Sequence, residues 1–247
     1  MALQSEAEFE YAPVSIDLPD TIERHGASEV LDIGGLKVSV YRDLDTAAPV
    51  WQALSVGASG LPYQDYAWLK AWYDAIGAGR GIEPFFVVAH DQDEFAFGLP
   101  LAVEQRRNYR TLTFLGQENT NQNTGLWSPD FYESATSEDL EPVLAELCRY
   151  AGADLVHLTN VPLVWEGKSQ PLLTRQRTES PSPVFLGPVN DDFDALFQSS
   201  FGKRSGKTLL RKQRKLEAAG DFRIYQAETA EDVKRGLDAF ISQRMSR

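Results

Sequence analysis

The chain is short of the residues that staple or ligate: its 247 positions hold one cysteine, two methionines and three histidines. A lone thiol, Cys148, excludes an intrachain disulfide framework and any cysteine-based zinc site. His25, His90 and His157 are scattered and lack metal-ligand spacing. No run approaches the roughly 20 consecutive apolar residues of a membrane helix. The acidic opening MALQSEAEFEYAPVSIDLPD has no apolar segment of the kind that marks a secretory signal. Internal repeats of 20–50 residues and low-complexity tracts are also missing. These absences predict a cytoplasmic protein that needs no metal and does not insert into a membrane.

What is present is enough apolar material for a sizeable core, 43% hydrophobic with 11% aromatic, in an ordinary soluble composition that is 24% charged. The net charge of -12 is unevenly spread. Residues 1–198 carry 12 Lys and Arg against 30 Asp and Glu, whereas residues 199–247 carry 12 against 6. The whole chain therefore repels nucleic acid and anionic membranes, while its last fifth attracts phosphate or carboxylate. Residues 1–34 read as a flexible acidic tail, 35–198 as a first domain, and 199–247 as the basic opening of a second unit.

Alternation predicts a strand over Leu36–Tyr41. A helix capped by Asp45 follows and carries Val50, Trp51 and Leu54; a second runs from Gln64 to Ile76. Three strands come next, Pro84–His90, Glu94–Val103 and Thr111–Leu115, with Asp91-Gln-Asp93 turning between the first two. After the polar loop Gly116–Gly125, a helix runs to about Tyr150 and a short strand covers Asp154–Thr159. Residues 160–183 read as loop with a helical turn near Leu172. Val184–Leu186 and Phe222–Tyr225 read as strands; Phe193–Gln198, Lys203–Ala219 and Ala230–Arg247 read as helices. The last has no stop signal, which predicts that the chain is a piece of a longer protein.

This order predicts an α+β protein with a mixed, mainly antiparallel sheet flanked by helices. It resembles the GNAT (Gcn5-related N-acetyltransferase) fold, and local motifs point to one bacterial branch. Leu61-Pro-Tyr-Gln-Asp-Tyr-Ala-Trp-Leu-Lys-Ala-Trp72, Gly98-Leu-Pro-Leu101, Phe114-Leu-Gly116, Asn121-Gln-Asn-Thr-Gly-Leu-Trp127, Asn160-Val-Pro162 and the basic run Lys203–Gly220 resemble the BioF2-like or CelD-type acyltransferases, distant relatives of the FemAB peptidyltransferases. The resemblance spans residues 36–247. It implies tandem GNAT-like units, acetyl-CoA or another acyl-CoA as donor, and an amine or hydroxyl of a small molecule or polysaccharide precursor as acceptor. A non-catalytic, degenerate GNAT module that binds an acceptor or partner is the alternative.

The resemblance places the acceptor near Trp68, Asn121, Asn123 and Trp127. The nearest match to a GNAT pyrophosphate loop is Gln122-Asn-Thr-Gly125-Leu-Trp127. It ends in Trp where a small residue should let backbone approach phosphate, and it leads into Ser128-Pro129 rather than into a helix. On the basic run, Lys203, Arg204, Lys207 and Arg211 are either a solvated helix face or a clamp for an anionic acceptor at the cleft between the units. Gly202-Lys-Arg-Ser-Gly206-Lys207-Thr208 imitates a P-loop but is one residue short and follows no strand. Trp51 and Trp72 read as core, with Trp68 the one placed to reach a groove. His90 reads as exposed beside a turn, and Cys148 as a buried, inert thiol. No Ser-His-Asp or Cys-His constellation is present, so no catalytic base is named.

Overall fold

The computed structural model describes residues 26–182, 184, 192–220 and 225–246, which belong to two units that divide between Val184 and Phe185; each is taken by itself. In the first unit, strand β1 (Glu29–Ile33) turns into β2 (Leu36–Tyr41) through Gly34-Gly35, both at positive φ (61° and 87°). Two consecutive positive-φ residues are what a tight, right-twisted hairpin demands. Gln92 and Asp93 (49° and 70°) do the same between β3 (Glu83–Asp91) and β4 (Glu94–Gln105). Then come β5 (Arg110–Phe114), β6 (Leu126–Trp127) and β7 (Leu155–Val156). The order is β1-β2-β3-β4-β5-β7, with β6 paired to β4, and only β5–β7 is parallel. A parallel pair needs a crossover; here it contains α3 (Pro129–Ser134) and α4 (Ser137–Tyr150).

The sheet is covered on both faces. Alternate residues Val38, Val40, Phe85, Val87, Leu99, Leu101 and Leu112 pack with Leu140, Leu144 and Leu147 of α4. The intervening residues Tyr41, Phe86, Val88 and Ala102 pack with Trp51 and Leu54 of α1 (Leu44–Leu54) and Leu69 and Trp72 of α2 (Tyr66–Trp72). Covering both faces explains why β3 and β4 read as near-continuous apolar runs. Each large side chain enclosed here contributes roughly 1.5–3 kcal/mol.

Several local expectations are corrected. β1 lies within residues 1–34, and the two units divide after Val184. Asp43, not Asp45, caps α1, accepting from Thr46 N at 2.9 Å. The helix expected over 64–76 starts two residues later and widens at its end: Pro62–Gln64 is a 3₁₀ turn, Asp65 caps α2, and the helix continues through Tyr73–Gly77 as a π turn. A helix does follow Ser128, with Pro129 at its first position, where the missing N–H costs nothing. Residues 160–183 contain the hairpin β8 (Val164–Trp165) and β9 (Lys168–Ser169).

In the second unit α5 (Phe193–Ser200) is capped by Asp192, α6 covers Lys203–Ala218 and α7 covers Ala230–Met245. Of the strands expected at 184–186 and 222–225, Val184 and Tyr225 lie in no strand, and the other residues lie outside the described set. Among the described residues no helix is long and apolar enough to cross a membrane.

Candidate functional site

The two elements on which the sequence placed a binding role, the polar loop and the basic helix, are built in opposite ways. The loop leaves β5 at Gly116, where φ is 99° and a Cβ would stand 2.7 Å from the Trp68 ring, so glycine is required there twice over. Its first turn is pinned to the end of β4. Gln117 donates from Nε2 to Glu104 (2.9 Å), a carboxylate also held by Arg80 (2.9 Å) and Arg106 (2.6 Å). Arg80 further holds Glu118 at 3.0 Å, and Trp72 donates from Nε1 to Asn119 at 2.9 Å. Backbone hydrogen bonding, helped by Arg80, pulls the Glu118 carboxyl below its usual range. Burial opposes the charge on Arg80, but the bonds to Glu118 and Glu104 outweigh it and raise its pKa.

The middle of the loop substitutes for a strand pairing. β5 pairs with β7 only at Thr111–Leu155 and Leu112–Val156, flanked by Asp154 N to Arg110 O and His157 N to Leu112 O, both 2.8 Å. Beyond that point the segment after β7 bonds to the loop. Asn123 donates from its backbone to Asn160 O (2.8 Å) and from Nδ2 to Thr159 O (3.0 Å), and Asn160 Nδ2 reaches Thr120 O at 2.6 Å. Asn160 takes a positive φ of 58° to do so, a conformation asparagine tolerates better than most.

The loop closes on the core. Thr124 Oγ1 accepts from Trp127 Nε1 and from Gln170 Nε2, each at 2.8 Å, and Trp127 exchanges two 2.9 Å backbone bonds with Ser59. A Cβ on Gly125 would lie 2.7 Å from Gly98 O, so that glycine serves the approach of the loop to β4. Tyr132 packs edge-on to Trp127 and donates to Trp165 O at 3.0 Å; burial, with Glu166 nearby, pushes its phenol up to about 12. Ser59 in turn donates its hydroxyl to Glu166.

The loop residues proposed for binding therefore part company. Asn123 is 1% exposed and Trp127 fully enclosed, and both spend their side chains inside the unit. Asn121 is exposed and Gln122 half-buried. Trp68, half-buried over Gly116, meets Tyr63 edge-on at 5.5 Å, so a partly accessible aromatic pair stands beside the loop. Trp51 and Trp72 are core residues, and Cys148 is a buried thiol raised by desolvation, as the sequence indicates. His90 differs: it is only 5% exposed. Glu104 was missed, although a glutamate ending an apolar strand is a signal that it has a buried partner.

These loop residues do not fit a coenzyme pyrophosphate. The N–H groups of Asn123 and Trp127 already have carbonyl partners, and Gly125 faces the Gly98 carbonyl, which repels phosphate. In the second unit, Lys207 and Arg211 are exposed on α6 and in no ion pair among the described residues. The side chains of Lys203 and Arg204 lie outside the described residues. Residues 203–208 are helical and Gly206 packs against Phe197 and Phe201, so no P-loop cradle forms there.

No family model and no curated protein matches the chain.

Proposed function

We propose that the chain belongs with the acyl-CoA-dependent N- or O-acyltransferases of the BioF2-like or CelD type, and that residues 26–182 serve there as a non-catalytic GNAT-like unit. The acceptor class that goes with this reading is a small molecule or polysaccharide precursor. The element order supports it: an antiparallel strand pair, two helices, three antiparallel strands and the short β6, two more helices, then a strand parallel to β5. The observation that carries the non-catalytic role is the loop 120–124. It takes the backbone partners beyond β7 with the Asn123 amides and accepts from Asn160 at the Thr120 carbonyl, so an acyl-CoA entering there would have to break these bonds. The unit would instead contribute rigidity and the accessible Tyr63–Trp68 face beside Asn121, where a ring could stack against acceptor carbon.

Calorimetric titration of this 247-residue chain with acetyl-CoA, with ADP as a phosphate-only control, tests the reading. The expected result is no saturable heat beyond what ADP gives. Tight binding that ADP does not reproduce, weakened by Gln122→Ala on the half-buried part of the loop, would place a coenzyme site there and overturn the non-catalytic role.

A further inference from the structure

The outer corner of the sheet, away from the loop, departs from the pattern that fills the rest of the unit. On one face the corner is apolar and closed, with Ile33, Leu36, Val38 and Ala89 all at or below 9% exposure. On the other face three strands place polar residues in a single row. Asp32 of β1 stands opposite Lys37 of β2, and Lys37 stands opposite His90 of β3; Ser39 lies one row inward, opposite Val30 and Val88. Directly opposed side chains on neighbouring strands are about 4.5–5.5 Å apart at Cβ. A cavity of about 390 Å³ opens over this row, lined by Asp32, Lys37, Ser39, His90 and Asp93 among others. That volume is in the range of small-molecule sites.

The charge pattern restricts the occupant. Lys37 is matched by Asp93 in an ion pair, which leaves the exposed Asp32 carboxylate as the excess charge at the mouth. The floor is polar: Ser39 and His90 are each 5% exposed, with the Phe95 ring 6.3 Å from the imidazole. Among the described residues no three His, Cys, Asp or Glu side chains come close enough to share a metal ion, so a point cation is poorly suited and an extended organic one is better suited. We propose that this corner binds a small, hydroxyl-bearing primary amine, its ammonium on Asp32 and its hydroxyl groups toward Ser39 and His90. The inference is independent of the acyltransferase reading and involves none of the loop residues.

D-glucosamine is a suitable probe, with glucose as the uncharged control, followed through the backbone amides of Ser39 and His90 by NMR on the whole chain. Saturable shifts with glucosamine and none with glucose are expected. Asp32→Asn, on an exposed strand residue and so tolerated by the fold, should weaken binding about tenfold, the usual scale for a charge-assisted hydrogen bond. Three results would overturn the proposal: no saturable shift, equal shifts with glucose, or Asp32→Asn binding as tightly as the parent.

Discussion

The Gly116–Gly125 loop and helix α6 are both dense in polar residues, and both resemble binding segments in the sequence. In the molecule they are opposites. The loop turns Thr120, Asn123 and Thr124 inward, where they are at most 1% exposed and hydrogen-bonded, and leaves Asn121 at the surface. Helix α6 turns Lys207, Arg211, Lys212, Arg214 and Lys215 outward. Polarity alone thus does not mark a site. A buried amide with a partner is structural, since leaving that partner unmatched costs about 1–3 kcal/mol. An exposed cation costs little to remove and is free to meet a ligand.

Substitution should break this contrast most visibly at its extremes. Trp127→Ala removes a fully enclosed indole and its bond to Thr124, and should destabilise the first unit by about 3–5 kcal/mol in urea unfolding. Lys207→Ala and Arg211→Ala should each stay within about 0.5 kcal/mol of the parent. Comparable losses at all three positions would erase the distinction between loop and helix.

A smaller effect is expected at Asn160. Replacing it by Ala deletes the donor to Thr120 O and places a Cβ-bearing residue without a polar side chain at positive φ, for a cost of about 1–3 kcal/mol. Asn160→Gly keeps the backbone freedom and should recover part of that loss in the same unfolding measurement. Equal destabilisation by the two would mean that the backbone conformation contributes nothing.

The smallest effect is a pH dependence. Tyr132 has a folded pKa of about 12 against an ordinary value of 10.0. Its neutral form is thus favoured by folding, and that contribution is complete below about pH 10 and lost as pH rises through 12. The stability difference between the parent and Tyr132→Phe should therefore shrink over that interval. A constant difference in the urea midpoint would show that the phenol titrates normally.

Much of the fold was legible because its signals are local. β2 through β5 fall within two residues of their expected ends, since alternation or unbroken apolar runs bounded by turns fix them. The Gly34-Gly35 turn is just as clear a signal, but β1 carries Glu29 and Asp32 and lies at a sheet edge, where apolar patterning weakens. The change from α to π geometry at Tyr73 had no signal, because Trp72, Tyr73 and Ile76 keep helical spacing through it. The loop was located correctly as a loop, yet the direction of its side chains was not readable. That direction depends on Thr159, Asn160 and Gln170, which are about 35–50 residues away in sequence, and no local pattern records such pairings.

The central claim is that the polar loop is part of the core. Native-state hydrogen exchange at the Asn123 amide tests it most directly, because that N–H donates to Asn160 O at 2.8 Å. The account predicts exchange as slow as that of the central β3 amides, governed by unfolding of the whole first unit. Exchange at the rate of an unprotected amide, with β3 still protected, would contradict it.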